Sequence, residues 1–312
     1  MSRAVALLFP GQGSQAVGMG KALVQQFPVA ARTFAEVDEA LGMALSTLCF
    51  EGPDDDLKLT TNAQPAIVAM SIAALRVLQQ ETGVQPAVVA GHSLGEYSAL
   101  VAAGALTLTD AVRIVRERGR LMQEAVPVGV GAMAAIFNLS SDEVLQVCTE
   151  AAQGEVVSPA NLNGGGQIVV AGHVDAVRRA VVVAKARGAK RAVELAVSAP
   201  FHCALMAPAA DGLTHVLAAV SVSPLTVPVV ANVTAEKNQD PLRVKNLLVQ
   251  QVTAPVRWEE SMAQLKSLGC EAVIEVGPGK VLAGLLKRIV PDLPCVSVSD
   301  PATLADVAEV LT

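Results

Sequence analysis

The pentapeptide Gly91-His92-Ser93-Leu94-Gly95 constrains the fold of this chain more than any other stretch. It follows a short apolar run, residues 87–90, and precedes a segment of small helix formers, residues 96–105. A strand that turns at once into a helix brings the chain back past itself, so the residues two before and two after the turning point must be small. The spacing Gly-x-Ser-x-Gly meets that need and lifts the central hydroxyl off the end of the sheet. The turn also sets Ser93 at a helix N-terminus, where free N–H groups favour developing negative charge. Strands that alternate with helices in this way build a parallel sheet covered on both faces. Taken alone, the pentapeptide also fits a tight turn with no chemistry.

The rest of the chain fits that frame. Residues 4–9 are apolar and end at Pro10-Gly11, which reads as a buried strand followed by the loop Gly11-Gln12-Gly13-Ser14-Gln15. Residues 64–80 read as a helix with Pro65 in its first turn, and residues 110–124 as a charged amphipathic helix. The middle of the chain changes character. Residues 131–139 read as a strand, and Ser140-Ser141-Asp142-Glu143 has capping-box spacing that opens a helix to about residue 152. Residues 155–162 and 167–172 read as a hairpin turning at Asn163-Gly164, followed by a helix over 174–187 and a strand over 191–197. That order, β-α-β-β-α-β, is a ferredoxin-like unit. The expected fold is α/β, a hydrolase-like parallel-sheet core domain of residues 1–127 and 198–312 with an inserted ferredoxin-like subdomain of residues 128–197. Further core strands are expected at 226–232 and 272–276, with a helix over 280–289 after Gly277-Pro278-Gly279.

Composition removes several function classes. A chain of 312 residues that is 52% hydrophobic and 17% charged can bury one large core. Its net charge of −6 and sparse aromatics argue against nucleic acid, which calls for a positive field and stacking platforms. Five cysteines without a Cys-x-x-Cys pair indicate neither a disulfide framework nor a zinc site, and suit a reducing cytoplasm. No metal or other cofactor is expected. No secretory signal is visible near Arg3. Residues 216–235 lack charge over a bilayer-spanning length, but Pro224, Pro228 and Asn232 make them buried loop and strand, so no membrane association is expected.

A serine hydroxyl needs a base. Of the four histidines, His92 adjoins Ser93 and would point away from its hydroxyl. His173 lies beside the hairpin and His215 within a helix. His202, in Ser198-Ala199-Pro200-Phe201-His202, lies where the chain re-enters the core domain. Elimination favours His202, and the order Ser before His agrees with α/β-hydrolases. An acyl ester also needs an oxyanion hole. One donor is the Leu94 backbone N–H, and the loop Gly11-Gln12-Gly13 is the best source of a second, although a plain surface loop reads the same way.

Eight segments extend the comparison: PGQGSQ (10–15), TNAQPAI (61–67), GHSLGEYSAL (91–100), RGRLMQ (118–123), ANLNGGGQIVVAG (160–172), PFHCALM (200–206), QVTAPVRW (251–258) and EVGPGKVL (275–282). Together they resemble malonyl-CoA:acyl-carrier-protein transacylases, the discrete bacterial acyltransferases of fatty acid synthesis, in family order over nearly the whole chain. The resemblance implies ping-pong transfer of malonyl from malonyl-CoA to the phosphopantetheine thiol of acyl carrier protein through a Ser93 ester, supplying extender units for fatty acid biosynthesis. It implies Ser93 as nucleophile, His202 as base, the backbone amides of Gln12 and Leu94 as oxyanion hole, and the Gln251 main-chain carbonyl as the group that orients His202. It assigns Arg118 to the malonyl carboxylate, where a fork-shaped guanidinium makes two parallel hydrogen bonds. Spacing alone does not select Arg118 from Arg113, Arg116 and Arg120.

Gln64, Asn161, Asn163 and Phe201 are carried over as substrate-binding. Hairpin-turn chemistry explains the two asparagines equally well. In related acyltransferases a Phe directly before the His goes with malonyl and a smaller residue with methylmalonyl, because a bulky ring crowds a branch at the α-carbon. The implied partner is a small acidic carrier, so an acidic chain needs a local basic patch. Arg178, Arg179, Lys185, Arg187, Lys190 and Arg191 form a run without an acid among them, and Lys287 and Arg288 form a second group. The alternative is a serine acyl hydrolase, an esterase or patatin-like lipid hydrolase. The patatin type needs an Asp-Gly-Gly or Asp-Gly-Ala motif, which Asp211-Gly212-Leu213 matches poorly.

Overall fold

The computed structural model describes residues 3–311. Among them, ten strands alternate with helices: β1 (Val5–Phe9), β2 (Val88–Gly91), β3 (Gly131–Phe137), β4 (Val157–Gly164), β5 (Gln167–His173), β6 (Arg191–Glu194), β7 (Val229–Val230), β8 (Lys237–Asn238), β9 (Ala272–Val276) and β10 (Cys295–Val298). The main sheet has the order β10-β9-β1-β2-β7-β8 and is parallel except for the β7–β8 pair at its edge. Its central strands are apolar without alternation because helices cover both faces. Val5, Leu7 and Phe9 of β1 enter the larger core, while Ala6 and Leu8 enter a second core with Trp258 and Met262.

The second sheet, β4-β5-β3-β6, is antiparallel throughout and has the ferredoxin-like order. Helices Ser141–Ala152 and Val174–Ala186 cover one face, burying Ala134, Ile136, Val147 and Ala180 together. Ser140 and Glu143 form the reciprocal capping box that their spacing implies. The opposite face, through Met133, Ala135, Val169 and Ala171, packs on Phe201, Cys203 and Leu205. This sheet therefore stands against the segment that carries His202.

Four local expectations are corrected. The helix expected over 64–80 spans Thr60–Thr82, so Pro65 lies inside it and not in its first turn. Proline removes one helical hydrogen bond, but residues on both sides of it are buried and packing holds the extra turn. The strand expected over 226–232 shrinks to Val229–Val230, since Pro228 cannot donate to the ladder and Asn232 turns its amide toward Ser93. The last strand of the second sheet stops at Glu194, short of residue 197. The hairpin turns at Gly165-Gly166, both left-handed, while Asn163 and Gly164 remain in β4.

Candidate active site

β1 and β2 are parallel neighbours with Phe9 opposite Gly91, so the loops after them meet at one edge of the sheet. This carboxyl edge is where α/β sheets place ligands. The turn at Ser93 is tight. A Cβ on Gly91 would stand 2.0 Å from the Gly95 carbonyl, and one on Gly95 would stand 2.0 Å from the Phe9 oxygen. Ser93 itself has φ 51°, a conformation that L-residues rarely adopt. Asn232 clamps the turn from both sides. Its Oδ1 accepts from the Ser93 N–H at 2.6 Å, and its Nδ2 donates to the Gly91 carbonyl at 2.7 Å.

His202 approaches from the segment after β6, also left-handed at φ 61°. Its Nε2 lies 2.7 Å from Ser93 Oγ and its Nδ1 2.8 Å from the Gln251 carbonyl oxygen. That carbonyl is free for a sequence-level reason. Gln251 lies in the last turn of the helix Pro241–Thr253, and the residue four ahead is Pro255, which has no N–H to offer. A carbonyl only accepts, so the proton sits on Nδ1 and the Nε2 lone pair faces the serine hydroxyl. Burial, and next the Arg118 charge, push the His202 pKa down to about 3. The ring is therefore a neutral base at physiological pH. No carboxylate takes the orienting place that a hydrolase triad gives one, and Asp211 is exposed on the helix Ala207–Ala218.

Arg118 is 2% exposed on the helix Leu108–Glu124. One terminal nitrogen donates to Gln64 Oε1 at 2.9 Å, and the other donates to Gln251 Oε1 at 3.0 Å and Ser93 Oγ at 3.2 Å. Burial lowers its pKa, opposed by the neighbouring Tyr97 and Glu96. The other three arginines point elsewhere. Arg113 donates to the Ala40 carbonyl, Arg116 reaches Met43, and Arg120 pairs with Glu117 and Glu124. Helix phase thus separates the four, and Arg118 alone enters the site.

Ser93, His202 and Arg118 open on a cavity of about 580 Å³, also lined by Gln12, Gln64, Asn161 and Phe201. Among the described residues, the backbone N–H groups of Gln12 and Leu94 have no acceptor within the chain. Asn163 does not line this cavity. Its Oδ1 meets His92 Nε2 at 2.8 Å, and the His92 ring is tilted 5.2 Å from Trp258. His173 accepts the Val156 N–H, and His215 is exposed. Glu96, Asn232 and the Gln251 side chain complete the site and were not singled out from the sequence. A glutamate one turn past Ser93 in an otherwise apolar helix was a usable signal for Glu96. The two amides carry no local signal.

Half of the basic run is spent within the fold. Arg178 pairs with Asp175 and Glu194, Arg179 with Glu155, and Arg187 with Glu150. Among the described residues, Lys185, Lys190 and Arg191 have no ion pair, and Arg191 lies 5.8 Å from the Phe137 ring centre.

The model of the acyl transferase domain matches residues 6–305. The chain is 50% identical over 300 residues to the malonyl CoA-acyl carrier protein transacylase of Salmonella typhimurium, covering 96% of this chain and 97% of that one. The crystal structure of an acyl carrier protein S-malonyltransferase from Vibrio cholerae superposes with a TM-score of 0.95 at 52% identity, covering 97% and 99% of the two chains. A malonyl-transacylase solved in complex with its type II PKS acyl-carrier protein superposes at 0.96 with 47% identity, covering 98% and 99%. With a part-buried serine–histidine pair at the edge of a parallel sheet and likeness over nearly its whole length, this chain belongs to the acyl transferase domain family.

Proposed function

We propose that this chain transfers a malonyl group from malonyl-CoA to the phosphopantetheine thiol of acyl carrier protein through an ester on Ser93. The carrying observation is that Ser93 Oγ meets both His202 Nε2, at 2.7 Å, and a buried guanidinium, at 3.2 Å. In the loading step Oγ attacks the thioester carbonyl and its proton passes to Nε2. The oxyanion is held by the Gln12 and Leu94 amides. The carbon–sulfur bond breaks, and the proton on Nε2 leaves with the CoA thiol. In the second step the carrier thiol gives its proton to Nε2 and attacks the ester, and the proton returns to Oγ as the ester breaks. Arg118 holds the malonyl carboxylate. Its direct partners in the site are neutral, so its charge is available to a second acid.

The remaining roles follow from position. Gln64 steadies the guanidinium, Asn161 faces the acyl chain, and Asn163 acts behind the wall through His92. Phe201 lines the cavity beside the base, where its ring crowds an α-branch. We take residues 128–197 as a subdomain inserted into a core of 1–127 and 198–312, because all four strands of the second sheet lie within 131–194. Five free cysteines suit a cytoplasmic setting, and no helix among the described residues is long and apolar enough to cross a membrane. Intact mass spectrometry after incubation with malonyl-CoA, with and without carrier protein, tests the whole reading. A malonyl adduct that carrier thiol removes and water does not is the expected result, and loss of the adduct to water alone would indicate the hydrolase.

The low pKa of His202 makes a second prediction. A base already neutral above about pH 3 gives loading no acidic limb near neutrality. The rate of Ser93 malonylation should change less than about threefold between pH 5 and 8. A limb centred near 6.5 would place an ordinary histidine at the site. His202→Ala should slow loading and release alike, since one base serves both.

Carrier docking yields a third. Reversing the charge of Lys190 and Arg191, which have no ion pair to lose, should raise KM for carrier protein while malonyl-CoA loading is unchanged. Equal effects on both half-reactions would remove this strand from the docking surface.

A further inference from the structure

We propose that Glu96 is a positioning residue for this reaction: one carboxylate oxygen fixes the orientation of the Gln251 amide, and Gln251 in turn holds Arg118 in the pose that separates malonyl from acetyl thioesters. The inference rests on Arg118 reading the malonyl carboxylate, as proposed above.

Glu96 lies on the helix Gly95–Ala102, three residues past the nucleophile, and is 3% exposed. A carboxyl group in that setting is costly unless hydrogen-bonded. Its Oε2 accepts from Gln251 Nε2 at 2.7 Å and from the Asn232 backbone N–H at 3.1 Å. Asn232 is the clamp of the Ser93 turn, and Gln251 touches every reacting element. Its Nε2 also donates to the Ser93 carbonyl at 2.9 Å, its Oε1 accepts from Arg118, and its main-chain oxygen holds His202.

The two ends of a glutamine amide are nearly equal in shape and opposite in hydrogen-bonding sense. Here the surroundings admit one orientation. With Nε2 toward Glu96, it meets two acceptors and Oε1 meets a cation. A half-turn would set Oε1 against a carboxyl oxygen and a carbonyl, and the NH₂ group against the guanidinium. Glu96 supplies one of the two acceptors that enforce the choice, and the Ser93 carbonyl supplies the other. Burial pushes the Glu96 pKa up to about 7, so both protonation states occur near neutrality. In the neutral form the proton takes the other oxygen and leaves Oε2 an acceptor. The device depends on an acceptor at this point, not on its charge. It differs from the acid of a hydrolase triad, because Glu96 makes no hydrogen bond to His202 and acts through an amide.

The test compares kcat/KM for Ser93 loading from malonyl-CoA and acetyl-CoA, with thermal melting to confirm folding. Glu96→Ala should lower malonyl loading about 10- to 100-fold and acetyl loading less than about threefold, the scale of a lost hydrogen bond to a charged group. Glu96→Gln retains an acceptor oxygen and should keep the wild-type malonyl-to-acetyl ratio within about threefold. Gln251→Leu, which leaves the main-chain contact to His202, should reproduce the ratio shift of Glu96→Ala. The double variant should be no worse than Gln251→Leu alone. Should Glu96→Ala not fold, Glu96→Asp carries the same test, since its oxygen is drawn back by one methylene. Equal loss of both substrates in the Glu96 variants, a Glu96→Gln as impaired as Glu96→Ala, or an additive double variant would overturn the assignment. Arg118→Ala is run in parallel. An unchanged ratio there overturns the Arg118 reading, whereas a changed ratio there with an unchanged ratio in Glu96→Ala overturns Glu96 alone.

Discussion

Ser93→Ala is expected to form no malonyl adduct and to lose about 10⁴–10⁶ of the transfer rate, the scale on which serine acyl enzymes lose their nucleophile. No neighbouring group can substitute. The nearest thiol in sequence to the base, Cys203, is 1% exposed, donates to the Pro200 carbonyl, and is pushed up to about 11 chiefly by burial, so it stays protonated and inert. The fold should survive. Alanine occupies the same left-handed position and removes only the hydroxyl contacts to His202 and Arg118, while the Asn232 clamp on the backbone remains. The melting temperature should therefore move by only a few degrees. Intact mass spectrometry reads the result directly, and an adduct that persists in Ser93→Ala would refute the ester intermediate.

Arg118→Ala should produce the next largest effect, and a selective one. Malonyl and acetyl thioesters differ by one carboxylate. A charge-assisted hydrogen bond in a dry pocket contributes about 1.5–3 kcal/mol, and a guanidinium offers two. Such terms do not simply add, so a fall of about 10²–10⁴ in the malonyl-to-acetyl ratio of kcat/KM is expected. Acetyl transfer loses no such contact and should hold or rise. An unchanged ratio would move carboxylate recognition to another group, and neither Arg116 nor Arg120 is placed to supply it.

What could be read from the sequence was set by the range of the forces involved. The Ser93 turn obeys local sterics over five residues, and the capping box obeys local hydrogen bonding, so both are legible. His202 follows from there being few histidines. Arg118 is an intermediate case. Ala111, Val112, Val115, Gly119 and Met122 form a buried stripe, and Arg118 falls on it, but the stripe alone does not say that the face borders a cavity. Asn232 and Gln251 lie 139 and 158 residues from Ser93 in the chain, and only the closed sheet brings them there. The basic run is legible only in part for the same reason. It contains no acid, yet three of its four arginines are paired, Arg179 and Arg187 with Glu155 and Glu150 from outside the helix, and Arg178 with Asp175 on the same helix and with Glu194. Pro65 shows the reverse, a strong local rule overridden by burial along the helix Thr60–Thr82.

The free carbonyl of Gln251, left open by Pro255, bears on how long the loaded enzyme waits. A carbonyl cannot offset positive charge as a carboxylate does, so the imidazolium formed during each attack is held less firmly, and Arg118 nearby disfavours it further. A base so weakened discriminates among nucleophiles by their acidity. A thiol, with a pKa of about 8.5, gives up its proton readily. Bulk water, a far weaker acid, does not. In the mechanism proposed above, the electrostatics of the base favour release of the malonyl ester to a sulfur nucleophile over release to water, and the lifetime of the ester would be set by the arrival of that nucleophile.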